Sequence, residues 1–114
     1  MPHCIIEYAK ELGKHIDFDE VVSKVHDDLK QCGLFNEEDI KTRALGYKHY
    51  IVGDGTSDFI HVNLKILPGR TVEKKQLLTN KVHLTLSEIF ITGVIITVEI
   101  TEIEKETYTK ILHA

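Results

Sequence analysis

Nowhere in its 114 residues does this chain concentrate positive charge, string together enough apolar residues to cross a membrane, or supply more than two cysteines. Each shortage excludes a class of function. Fourteen basic residues stand against eighteen acidic ones for a net charge of −4, and no stretch is dominated by Lys and Arg. Nucleic acid is therefore a poor partner. The apolar runs are a few residues long, where a membrane helix needs about 20. The start carries no basic segment followed by an apolar one, so no membrane contact and a cytoplasmic location are expected. Cys4 and Cys32 are expected to be reduced, small, partly buried side chains. The seven histidines form neither an H-x-H pair nor H-E-x-x-H, so no metal is expected. No Lys-Ser/Thr follows Gly53-Asp54-Gly55, which reads as a turn and not as a phosphate loop. No linker or composition shift divides the chain, and one domain over residues 1–114 is expected, burying roughly two-thirds of its unfolded surface.

What is present alternates strand and helix. His3 to Tyr8 reads as a strand. From Asp17 to Cys32, Phe18, Val21, Val22, Val25 and Leu29 recur at the spacing of an amphipathic helix, with Asp17 as N-cap and Gly33 as a left-handed stop. Ile40 to Ile51 is rich in β-branched and aromatic residues, and the Gly53-Asp54-Gly55 turn predicts a hairpin into the next strand. In that strand Ile60, Val62, Leu64 and Ile66 face one way and His61, Asn63 and Lys65 the other. Pro68-Gly69 ends it. Thr71 caps a second helix carrying Leu77, Leu78, Val82, Thr85, Leu86, Ile89 and Phe90, and Val94 to Ile103 forms the last strand. The tail holds Tyr108, Ile111 and Leu112 and is expected to pack on this chain or a neighbour. The order β-α-β-β-α-β describes an α+β fold built from two similar halves, with two helices on one face of a four-stranded sheet. Its uncovered face and edges favour oligomerisation. Ferredoxin-like domains share this order, so function must come from sites.

Three positions suggest one. Pro2 follows Met1, and loss of Met1 would free a secondary amine at the start of a strand. An α-amine titrates near 8 (roughly), and burial or nearby cations bring it toward neutrality. Arg70 follows the Pro68-Gly69 turn at the start of the second helix, where a planar guanidinium can grip a carboxylate. Arg43 shares a strand face with Lys41 and Tyr47. Glu7, His3 and Tyr8, beside Pro2, are read as structural.

These residues resemble the tautomerase superfamily, and within it the 5-carboxymethyl-2-hydroxymuconate isomerase branch. The resemblance rests on Met-Pro-His-x-Ile-x-Glu-Tyr at Met1 to Tyr8, on Gly33-Leu34-Phe35, on Ile40-Lys41-Thr42-Arg43, and on Phe59 to Ile66 running into Gly69-Arg70. From Ile60 onward the chain also looks like the shorter 4-oxalocrotonate tautomerase unit. The resemblance implies a homotrimer and a cofactor-independent isomerase acting on a small carboxylated dienol from aromatic degradation. Pro2 is implied as base, with Arg70, Arg43 and Lys41 binding carboxylates. The branch usually has arginine where this chain has Lys41, which keeps the charge but loses the bidentate fork. A non-enzymatic ferredoxin-like module, in which Pro2 is incidental, and a hydratase or dehalogenase of the same superfamily stay open.

Overall fold

The alternation read between Phe59 and Ile66 decides which side of the sheet is covered. A computed structural model describes all residues from Met1 to Ala114. Its strands are β1 (His3–Ala9), β2 (Lys41–Tyr47), β3 (Asp58–Ile66) and β4 (Val94–Glu102), and its helices are α1 (Phe18–Gln31) and α2 (Val72–Ile89). Ile60, Val62, Leu64 and Ile66 of β3 are buried, with Cys4 and Ile6 of β1, against Val21, Val25 and Leu29 of α1 and Leu78, Val82 and Leu86 of α2. The sheet's other face carries His3, Ile5 and Glu7 of β1 and His61, Asn63 and Lys65 of β3, and no helix covers it.

Sheet order is β2-β1-β3-β4. β1 runs parallel to β2 and antiparallel to β3, while β3 runs parallel to β4. Parallel neighbours need long crossovers, and α1 and α2 supply them. The two halves are thus two β-α-β units joined edge to edge through β1 and β3.

The expected hairpin does not form. Gly55 has φ 76° and its N–H bonds to Val52 O at 2.9 Å, while Asp54 takes the N–H groups of Thr56 and Ser57, so the turn itself is real. β1 nevertheless lies between β2 and β3. β1 buries Cys4, Ile6 and Ala9 completely, which suits the centre of a sheet, and α1 delivers β2 to its outer edge. β2 also ends at Tyr47, leaving Ile51 97% exposed outside the sheet.

Both helix starts are capped as their sequences indicate: Asp17 accepts from the N–H of Asp19, and Thr71 from that of Lys74. Gly33, at φ 75°, ends α1. Polar links tie the layers, with His26 Nδ1 on Thr42 Oγ1 at 2.7 Å and Thr85 donating to Asp28 at 2.6 Å. Leu77, expected on the core face of α2, points outward and is 71% exposed, because Leu78, Val82 and Leu86 define that face at i, i+4, i+8. Cys4 and Cys32 are both free thiols. No helix is long and apolar enough to cross a membrane.

Candidate functional site

β1 begins where three loops converge: the turn after α1, the short 3-10 turn Glu37–Asp39 before β2, and the turn after β3. Pro2 is fully buried there, and its carbonyl accepts the N–H of Lys41 at 3.1 Å, extending the β1–β2 ladder by one rung. Met1 places its amine on the carbonyl of Asp39 at 3.2 Å. Lys41 Nζ donates to that same oxygen at 2.8 Å. Amine and lysine therefore share one acceptor, and burial, then the charge of Lys41, push the amine's pKa below its ordinary 8.0, with Lys110 adding to them and Asp39 opposing.

Met1 also lines a cavity of about 300 Å³ together with Leu34, Phe35, Asp39 and Arg70. Arg70 is held firmly at its wall. One Nη donates to Leu34 O at 2.9 Å, the other to Leu67 O at 3.2 Å, and the guanidinium carbon sits 5.1 Å from the centre of the Phe35 ring. Two of the five guanidinium N–H groups are so used, and the remainder stay available for an anion. Gly33 and Gly69, at φ 75° and 119°, make the turns that bring Leu34 and Arg70 together.

Arg43 goes elsewhere. It lies on the open sheet face and donates from Nη1 to His3 Nδ1 at 3.2 Å. A guanidinium only donates, so Nδ1 must be the bare nitrogen and His3 carries its proton on Nε2, facing the Tyr108 hydroxyl at 3.0 Å. Burial, then Arg43 and Lys41, lower the pKa of His3 below its ordinary 6.5.

Of the four positions singled out from sequence, Pro2, Arg70 and Lys41 gather around the chain's start, and Arg43 stands one side chain away, behind His3. Tyr47 does share the face of Arg43, but it donates to Glu7 toward the opposite end of β1. Tyr8 stacks on Phe18 at 3.6 Å beneath the helices and closes against Gly46, where an added Cβ would lie 3.0 Å from the ring. Asp39, Phe35, Tyr108 and Lys110 were not anticipated as site residues. Only the apolar character of the tail hinted at Tyr108. A second cavity of about 300 Å³, between α1 and α2 around Asp28 and Leu77, contains none of the groups at the chain's start.

This geometry can bind an anion beside an amine of lowered basicity. Comparison with known proteins identifies the fold and the family. Among curated proteins no sequence matches the chain. Among solved structures, a 5-carboxymethyl-2-hydroxymuconate delta-isomerase aligns over 99% of this chain and 89% of its own, with TM-score 0.88 and 18% identity. A 5-carboxymethyl-2-hydroxymuconate isomerase from Deinococcus radiodurans aligns over 98% and 90%, with TM-score 0.87 and 24% identity. A fused 4-OT symmetric trimer aligns over 88% and 85%, with TM-score 0.69 and 15% identity. These likenesses establish a tautomerase-like fold. The sequence profile of 5-carboxymethyl-2-hydroxymuconate isomerase matches residues 2–112, so the chain belongs to that family of isomerases.

Proposed function

We propose that the chain, once Met1 is removed, isomerises a small unsaturated 2-hydroxy acid of the 5-carboxymethyl-2-hydroxymuconate type, with the Pro2 nitrogen as base. The observation that carries this reading is the placement of the chain's start: the Met1 amine shares its acceptor with Lys41 and Met1 lines the cavity walled by Arg70, so loss of Met1 leaves the Pro2 nitrogen next to both. The secondary amine takes the proton of the 2-hydroxyl: an N–H bond forms and the O–H bond breaks. The electron pair moves along the conjugated chain, and the far carbon takes a proton from the prolinium, or from a water whose hydroxide then takes the prolinium proton. The 2-oxo acid leaves and the amine is regenerated. Arg70 and Lys41 hold carboxylates and offset the negative charge that grows on the dienolate oxygen. Their charge also favours the unprotonated amine.

The match to the fused 4-OT trimer supports a homotrimer. So does the molecule itself, which leaves a sheet face, two edge strands, Leu45, Ile95, Ile111 and Leu112 open to water.

Ketonisation of a carboxylated dienol, followed by ultraviolet absorbance, tests the reading. Wild-type protein should accelerate it, and Pro2→Ala should lower kcat/KM by about 100-fold or more, the scale of a positioned base. Equal rates for the two proteins would remove Pro2 from the mechanism.

A further inference from the structure

The segment after β4 does not leave the fold. Ile103 N–H bonds to Ile66 O at 2.7 Å, and a short turn at Lys105–Thr107 redirects the chain. Tyr108 then reaches His3, its hydroxyl 3.0 Å from Nε2 and its ring edge-on at 6.0 Å. Lys110 Nζ pairs with the Asp39 carboxylate. With strand order β2-β1-β3-β4, the segment runs from the β4 edge past β3 and β1 to Asp39, two residues ahead of β2. It crosses the whole sheet at the end where Pro2 lies.

Its far anchor matters chemically. Asp39 offers its carbonyl to both the N-terminal amine and Lys41, so its side chain lies beside the same groups. The groups facing the amine are Asp39 from the turn before β2, Lys41 from β2, Lys110 from the tail, His3 from β1 and Arg70 across the cavity, while Glu38 acts on Lys110. The Asp39 carboxylate is the anion that acts on the amine of Met1, and loss of Met1 moves that amine one residue along the same strand start. Unopposed, it would pair with a protonated amine and hold the proton there. Lys110 engages it instead.

We propose that the C-terminal segment is a working part of this site, in which Tyr108 on His3 and Lys110 on Asp39 form a strap that keeps the Asp39 carboxylate occupied and leaves the N-terminal amine free as a base. Lys110 is a positioning residue: it touches Asp39 and acts on the amine through it. The role as a base rests on the function proposed above, but the test reads the amine directly and needs no turnover.

Protein lacking Met1, verified by intact mass, is labelled with ¹⁵N-proline and titrated by NMR. The chain has only two prolines, and Pro68 sits in an amide, so the titrating signal belongs to Pro2. Lys110→Met should raise the Pro2 pKa by about half a unit or more, and Lys110→Arg should restore it. In an Asp39→Asn background the same Lys110→Met change should lose more than half of that rise. Lys110 is exposed, so both variants should fold, which the Pro68 signal and thermal melting verify. An unchanged Pro2 pKa in Lys110→Met, or an equal rise without the Asp39 carboxylate, would overturn the strap. Absence of dienol turnover by the wild type would count against the proposed reaction alone and leave the titration standing.

Discussion

Lys41 and Arg43 stand two residues apart on one face of β2, yet only the lysine shares an acceptor with the N-terminal amine. Arg43 is spent on His3, fixing its tautomer and adding to burial in lowering its pKa. The two arginines should therefore behave differently. Arg70→Ala removes a pre-oriented guanidinium from the cavity wall and should cost about 1.5–3 kcal/mol of substrate and transition-state binding, a fall of about 10- to 100-fold in kcat/KM. Arg43→Ala should lower kcat/KM by less than about tenfold while raising the pKa of His3, since the guanidinium is among the charges that depress it. Steady-state kinetics and NMR titration of His3 separate the two. A larger loss from Arg43→Ala than from Arg70→Ala would put the carboxylate grip on the wrong arginine. Pro2 and Arg70 could be singled out from local sequence because each lies beside a chain start or a turn. The pairing of His3 with Tyr108, 105 residues apart, has no local signal at all.

Between elements, the helices are held to the sheet and to each other by few polar contacts and one apolar cluster. Leu86→Ala, at a fully buried position of α2, should destabilise the fold by about 2–5 kcal/mol in chemical denaturation, whereas Leu77→Ala on the exposed side should stay within about 0.5 kcal/mol. Asp28, buried on α1 against Thr85 of α2, has its pKa raised above the ordinary 3.8, by burial before any other cause. The folded state then binds the proton more tightly than the unfolded one, so stability falls as pH rises from about 3.8 through the raised value. Asp28→Asn should flatten that decline, and an unchanged pH dependence would show that the carboxylate ionises freely in the fold. Helix and strand faces were legible because periods of 3.6 and 2 mark them directly, as at Val21, Val25 and Leu29 or Ile60 to Ile66. Leu77 escaped because a run of Leu77-Leu78 fits either face. Strand order escaped for a different reason: the Gly53–Gly55 turn encodes a local reversal, while β2 pairs in parallel with β1, whose Cys4 and Ile6 are buried at the centre of the sheet, and that pairing is not a property of the turn.

At the scale of the whole molecule, one face of the sheet and both outer strands await cover, and Leu45 and Ile95 lie on that face. Light scattering in solution should give a mass three times the 13.0 kDa of one chain, and a monomer at micromolar concentration would contradict a trimeric assembly. The doubled β-α-β plan was legible because each half repeats the same order of periods. The crossing of the sheet by the tail was not, since it depends on two side-chain pairs, Tyr108 with His3 and Lys110 with Asp39, that form only once the sheet exists. The Lys110–Asp39 pair lies beside the chain's first amine, and a base role for proline requires that this amine be its own. The direct comparison is kcat/KM for dienol ketonisation by two forms of the same chain, one beginning at Met1 and one at Pro2, each defined by intact mass. Catalysis by the Pro2 nitrogen predicts activity in the Pro2 form and a loss of about 100-fold or more when Met1 ties that nitrogen into an amide. Equal activity of the two forms would contradict it.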